Sequence, residues 1–387
     1  MSYKQLLASF AIAALTLVLI VGLIYFNQPG HQPQQTAAIA PAAPPPAATK
    51  ASTTAPAPTT ASVVPAHDLT IVSWGGDYQS NQRRAFFEPF TQSAGMPLVE
   101  AVFNGTLDEI KAGRAAGKTW DVADLEQSDV LKACQEGLLE PIDWSRIGNK
   151  ADFMPFAVHD CGVGNIVWAF VMAYNPEKLP RAPLSWADLW DVQGLPGKRG
   201  LRKLAQWNLE IALLADGVPL KEVYTVLATP EGVDRAFNKL DQLRPHVEWW
   251  EDTVSYLDKL ASGELVMSTG YNGDITYRRR SGQNVQILWN NIIYTLDYWV
   301  ILKGSPNRDQ AHQFIAFASQ PQTQAEFARL SAFGPVVGPA LNQLDAQLAP
   351  DLPTSPANLR FALATNAAFW NQRGAELEAR FQKWLAQ

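Results

Sequence analysis

The residues with the clearest chemistry sit in one stretch, Asn291 to Lys303, where a single acid, Asp297, is embedded among Tyr294, Tyr298 and Trp299. The stretch has the β-branched and aromatic content of a buried strand. A carboxylate there is costly unless something pairs with it. A cationic ligand is one such partner, since Tyr294 and its neighbours would add cation–π attraction. A capped turn or an ion pair with one of the chain's own bases is the other. The five histidines, at 31, 67, 159, 246 and 312, show no metal-ligand spacing. Gly194 to Arg199 lacks the glycine spacing of a phosphate loop. No metal, cofactor or catalytic constellation is therefore expected. The one enzyme alternative uses Cys134 or Cys161 as a nucleophile.

Compartment bears on the choice between a thiol and a disulfide. Lys4 is followed by an apolar run, Leu6 to Phe26, broken only by Ser9, Thr16 and Gly22 and long enough to cross a bilayer. Its flanking base is N-terminal, which keeps that end in the cytoplasm and exports the remainder. No small-residue cleavage site follows closely, so residues 1–27 read as an uncleaved membrane anchor. A signal segment cut near Ala38-Ile39-Ala40 is the alternative. Residues 28–67 are Ala, Pro, Thr, Gln and Ser in the main, a semi-rigid linker. Two cysteines in an oxidising compartment predict a Cys134–Cys161 bridge. Two of the 31 bases and none of the 37 acids precede Asp68, so the folded part is acidic. That balance argues against a nucleic-acid partner, which would need a basic face.

The elements that must position Asp297 follow an α/β pattern. Leu69 to Ser73 reads as a strand that runs through Trp74-Gly75-Gly76 into a helix at about 78–93, disturbed near Pro89. Strands at 97–103 and 120–125 alternate with helices at 106–116 and after Glu126. Gly164 to Tyr174 is too continuously apolar for a half-exposed strand. An α/β block follows, with helices at 208–215 and from Thr229-Pro230, strands at 265–268 and 285–289, and a helix at 274–281. The stretch 294–302 then reads as a further strand, and a last helix is expected over 358–384. If the chain leaves one lobe on the strand near Val167 and returns on the strand of Asp297, the fold is two-lobed with a double interlobe crossing and a ligand cleft between. The expected division is 68–172 with 300–345 for the first lobe and 173–299 with 346–387 for the second.

Several motifs then fall into one order. Val72-Ser73-Trp74-Gly75-Gly76-Asp77-Tyr78, Thr119-Trp120-Asp121-Val122, Ser185-Trp186-Ala187-Asp188-Leu189-Trp190, Tyr271-Asn272-Gly273 and Leu296-Asp297 together resemble the spermidine/putrescine-type solute-binding proteins of ABC transporters. The resemblance implies a bilobal periplasmic binding-protein fold, an amine-bearing ligand and a membrane permease as partner. It places Trp74 and Tyr78 in one wall of the site, Glu126 in the loop after the third strand, Tyr271 in the opposite lobe and Asp297 on the ammonium. Trp250 is a further candidate for the second wall, against a plain core role. Where polyamine binders carry acids, this chain reads Gly200-Leu201-Arg202-Lys203-Leu204. A base at Arg202 suits a carboxylate, which guanidinium can grip with two hydrogen bonds. An ω-amino acid such as γ-aminobutyrate thus stands beside putrescine and spermidine as the expected ligand. An anchored ligand-sensing module working through a membrane partner is the alternative role.

Overall fold

The computed structural model describes residues 67–387. The expected anchor at 1–27 and all of the 28–67 linker except His67 lie outside the described residues. Among these residues no helix is long and apolar enough to cross a membrane.

Eleven strands form one mixed sheet. Its main path runs β2 (Leu98–Val102), β1 (Leu69–Ser73), β3 (Val122–Glu126), β9 (Gln286–Ile301), β5 (Gly162–Tyr174), β8 (Leu265–Tyr271), β6 (Lys198–Arg202) and β7 (Val247–Trp250). Short strands β4 (Val158–His159), β10 (Gly334–Pro335) and β11 (Leu363–Ala364) join at β5 and β9. β1 pairs in parallel with β2 and β3, as strand–helix–strand units require, and β6 pairs likewise with β7 and β8.

β5 and β9 are long enough to serve both halves of the sheet. They pair antiparallel from Val163 with Trp299 to Tyr174 with Gln286, with breaks in register between Gly164 and Ile166 and between Phe170 and Met172. At the second break Asn291 takes a left-handed backbone (φ 55°), and its carbonyl accepts from Trp186 Nε1 at 2.7 Å. Asn290-Asn291 is what made two strands of this element in the sequence, whereas it is one strand bulged at that point.

Two apolar cores divide the sheet between them, and this break lies within the second. One holds Ile71, Phe86, Phe90, Leu125, Ile166, Val167, Trp299 and Phe314. The other holds Phe170, Met172, Trp186, Leu213, Tyr256, Ile293, Phe381 and Trp384. Trp168 and Tyr294 pack against both, so the change-over lies at Trp168 on β5 and Tyr294 on β9, several residues before the expected boundaries at 172 and 299. The C-terminal helix spans Ala367–Leu385 and buries Trp370, Leu377, Phe381 and Trp384 in the second core. It starts later than expected, because Pro356–Leu359 forms a separate turn before β11. Leu348 and Leu352 instead pack with Ala328 and Ala332, in a small cluster of their own.

The helix after β1 runs Gly76–Gln82, widens into a π turn over Arg83–Phe87 and continues as Glu88–Ala94. Pro89 has no N–H and its ring would meet the carbonyl of Ala85, so a wider turn just ahead of it relieves both problems. Cys134, on the helix Gln127–Gln135, is joined by a disulfide to Cys161 at the start of β5. Both sulfurs are thus engaged, and the nucleophilic-thiol alternative is withdrawn.

Candidate functional site

The carboxyl ends of β1 and β3 and the midpoints of β5 and β9 meet at a cavity of about 300 Å³ between the two cores. Trp74, Tyr78, Glu126, Ile166 and Asp297 line it from the first core's side, and Arg202, Trp207, Tyr271 and Asp274 from the second's. Trp168 and Phe333 complete the wall at the crossing. The turn Asn104-Gly105 lets Trp74 reach the site: Gly105 has φ 82°, and a Cβ there would lie 1.9 Å from the Trp74 ring.

One wall is acidic. Glu126 of β3 is registered against Asp297 of β9, and Asp124 against Trp299. Directly opposed residues project to one face of a sheet, so Asp124, Glu126 and Asp297 form a row. Asp297 is buried and accepts one hydrogen bond, from Trp168 Nε1 at 2.9 Å. Burial and the charges of Asp124 and Glu126 push its carboxyl well above the usual range, against the pull of the Trp168 bond. Behind it, Asp124 Oδ2 accepts from Tyr78 Oη at 2.8 Å, Gln82 Nε2 at 2.6 Å and Asn165 Nδ2 at 3.1 Å. Burial nevertheless pushes Asp124 up to about 6. Glu126 sits at the start of its helix without capping it. Burial and Asp129 raise it to about 7, and only Arg202 pulls the other way. Crowding and burial thus favour the protonated form of each of these acids, and a cation beside them would favour the ionised form.

The facing wall carries the cation. Arg202 ends β6, where its backbone N–H donates to Thr269 Oγ1 at 3.3 Å and its carbonyl accepts from Asn208 Nδ2 at 2.6 Å. Its guanidinium lies 5.2 Å from the centroid of Tyr271, 5.6 Å from Trp207 and 5.8 Å from Trp250. Among the described residues it makes no ion pair and no side-chain hydrogen bond, so its donors stand over the cavity with aromatic faces around them. Trp207 pays for its place with a left-handed backbone, φ 68°, and stacks on Phe170 at 4.7 Å. Strain of this kind clusters where a side chain must be aimed.

Trp74, Tyr78, Glu126, Arg202, Tyr271 and Asp297 are thus brought together, and two candidates are not. Tyr294 lies three positions before Asp297, on the opposite face of β9, with its ring 5.5 Å from Phe156. The two-residue period of a strand already implied this. Trp250 is buried beneath the site, stacked on Tyr256 at 4.2 Å, and borders the cavity only through Arg202 and Tyr271, which it supports from behind. The sequence does not single out Trp168, Asp124, Trp207, Asp274 or Phe333 as site residues. Asp124 was recoverable, since it precedes Glu126 by one strand period. Trp207, in a connecting turn, carried no periodic signal.

Residues 85–354 match the family of bacterial extracellular solute-binding proteins. The chain belongs to this family. Family membership sets it among binders of solutes and not among enzymes. A γ-aminobutyric acid-binding protein of Pseudomonas aeruginosa PAO1 is 48% identical over 319 residues, which covers 82% of this chain and 91% of that one. A putrescine-binding periplasmic protein of P. aeruginosa UCBPP-PA14 is 24% identical over 271 residues, 64% of this chain and 73% of its own length. Among solved structures, a GABA receptor superposes with a TM-score of 0.74 at 33% identity, over 83% of this chain and 98% of that chain. The two-lobed α/β binding-protein fold is common to them.

Proposed function

We propose that this solute-binding protein is the receptor of an ABC importer for a short ω-amino acid, γ-aminobutyrate or a close analogue. The observation that carries the reading is Arg202, which makes no ion pair among the described residues, sharing one small cavity with Asp297 and Glu126, with Asp124 buried behind them. A zwitterion with charges at its two ends supplies what each wall lacks. Its carboxylate would take two charge-assisted hydrogen bonds from the guanidinium. Its ammonium would ionise and bridge the row of acids, with the Tyr78 and Trp74 faces alongside. A diamine would satisfy the acids and leave its second ammonium against Arg202. The cavity of about 300 Å³ is at the small end of ligand pockets, which suits a molecule of a few heavy atoms. The names of the γ-aminobutyrate binders at 48% and 33% identity agree with the zwitterion, and the putrescine binder is more distant at 24%.

A bound zwitterion would bond the two walls to each other, stabilising a closed form presented to a membrane permease. From the sequence alone, residues 6–26 would hold this receptor at the inner membrane on the 28–67 linker, with the folded part in the periplasm.

Titration calorimetry with γ-aminobutyrate, putrescine and spermidine tests the ligand. Binding of γ-aminobutyrate well ahead of both polyamines is expected. Tight binding of the polyamines with none of the amino acid would refute the zwitterion.

A further inference from the structure

A second cavity, of about 260 Å³, lies next to the first. The two share three lining residues, Tyr78, Asp274 and Phe333, so these form the partition between them. On the far side stand Asp77 and Asn81 from the helix after β1, and Thr253, Val254 and Tyr277 from the opposite lobe.

The middle of the partition is Phe333, and its position is fixed from three directions. Its ring stands edge-on to Tyr78, with centroids 5.7 Å apart. Gly273 lies under the ring on the other side, where an added Cβ would come within 2.7 Å of Phe333 Cε1 and Cζ. The preceding Ala332, at φ 59°, offers its carbonyl to Asn272 Nδ2 at 2.8 Å, while Asn272 Oδ1 accepts from Ala169 N–H of β5 at 2.9 Å. Asn272 therefore ties the Phe333 segment to the interlobe crossing, and Gly273 leaves room for the ring. The Tyr271-Asn272-Gly273 motif is accounted for in this way: Tyr271 faces the ligand cavity, and the next two residues seat its end wall.

We infer that Phe333 sets the length of ligand the cleft accepts, by closing the ligand cavity from an adjoining compartment that would otherwise extend it. The inference rests on the zwitterion reading above and sharpens it to a chain length. With the carboxylate held at Arg202, a four-carbon ω-amino acid ends within the first cavity. A longer one must carry its ammonium past Tyr78 and Asp274, into the space Phe333 blocks. Removing the ring joins the two compartments. The extension is hospitable to an ammonium, since Asp77 and Asp274 line it and its one base, Arg278, is already paired with Asp258 at 2.8 Å.

The test is calorimetry on the full chain in detergent with 4-aminobutanoate, 5-aminopentanoate and 6-aminohexanoate. The wild type should lose at least tenfold in affinity from the four-carbon to the six-carbon ligand. Phe333→Ala should recover at least tenfold for 6-aminohexanoate relative to 4-aminobutanoate. Gly273→Ala, which pushes the ring aside without removing it, should shift the preference in the same direction by a smaller factor. It serves as the second variant should Phe333→Ala fail to fold. A wild type that binds all three lengths equally, or variants that change all three affinities by the same factor, would overturn the role of Phe333. A wild type that binds none of the three overturns the amino-acid reading itself, and the length limit with it.

Discussion

The two walls of the cleft solve opposite electrostatic problems in different ways. The first crowds Asp124, Glu126 and Asp297 onto one sheet face and hydrogen-bonds the deepest of them to Tyr78, Gln82 and Asn165. The second sets the Arg202 guanidinium among aromatic faces, where among the described residues it makes no ion pair and Glu126 acts on it only through its charge. Like charges held together keep protons, whereas an arginine keeps its charge whatever surrounds it. The acidic wall is therefore adjustable and the basic wall is fixed. Selectivity between a zwitterion and a diamine should reside in the fixed wall, and pH sensitivity in the adjustable one.

The largest expected effect is on the fixed wall. Arg202→Ala should weaken γ-aminobutyrate by at least about 100-fold, from the loss of two charge-assisted hydrogen bonds of ~1.5–3 kcal/mol each. Calorimetry that finds the affinity unchanged would remove Arg202 from the site. Asp297→Asn should cost on the order of 10- to 100-fold, the worth of one charged hydrogen bond, because Glu126 and Asp124 remain to receive part of the ammonium's charge. An equal loss for an uncharged amide analogue of the ligand would mean that Asp297 shapes the pocket without pairing.

The pH dependence separates binding from stability. Glu126 is raised to about 7 and Asp124 to about 6, and a bound ammonium favours their ionised forms. Affinity should thus rise on the order of tenfold from pH 5 to pH 7 and level off above that, with protons released on binding across the range. Stability of the unliganded protein should move the other way. The folded state holds these protons more tightly than the unfolded chain, so it loses stability as pH climbs from the ordinary carboxylate range toward 7. Glu210, raised to about 7 by burial in the second core, adds to that loss. Thermal melts with and without ligand across pH 5–8 check both signs at once. The smallest effect belongs to Tyr294→Phe, which should leave affinity within about threefold, since the ring is on the far side of β9. A larger loss would mean that the cleft rearranges around this strand on closure.

Much of this architecture is legible in the residues. Apolar runs bounded by turn and capping residues locate β1, β3, β5 and most of the helices, and the awkward acid at Asp297 marks the candidate site before any fold is known. Arg202 stands out because a base replaces expected acids. What cannot be read is set by tertiary contacts. The bulge at Asn291 depends on Trp186 reaching its carbonyl from 105 residues away. Trp207 enters the site from a turn whose left-handed backbone has no glycine to announce it. Trp168 looks like core by composition, and only the register of β5 against β9 turns its indole N–H toward Asp297. Trp250 shows the converse, an aromatic near the right place whose ring the packing of Tyr256 keeps beneath the surface.

The most direct test of the two-wall account is the charge reversal Arg202→Glu, titrated with γ-aminobutyrate and putrescine side by side. Both walls would then be acidic, and preference should invert, with γ-aminobutyrate binding lost and putrescine binding gained. Retained γ-aminobutyrate binding in that variant, with no gain for putrescine, would contradict the assignment of the ligand's carboxylate to Arg202.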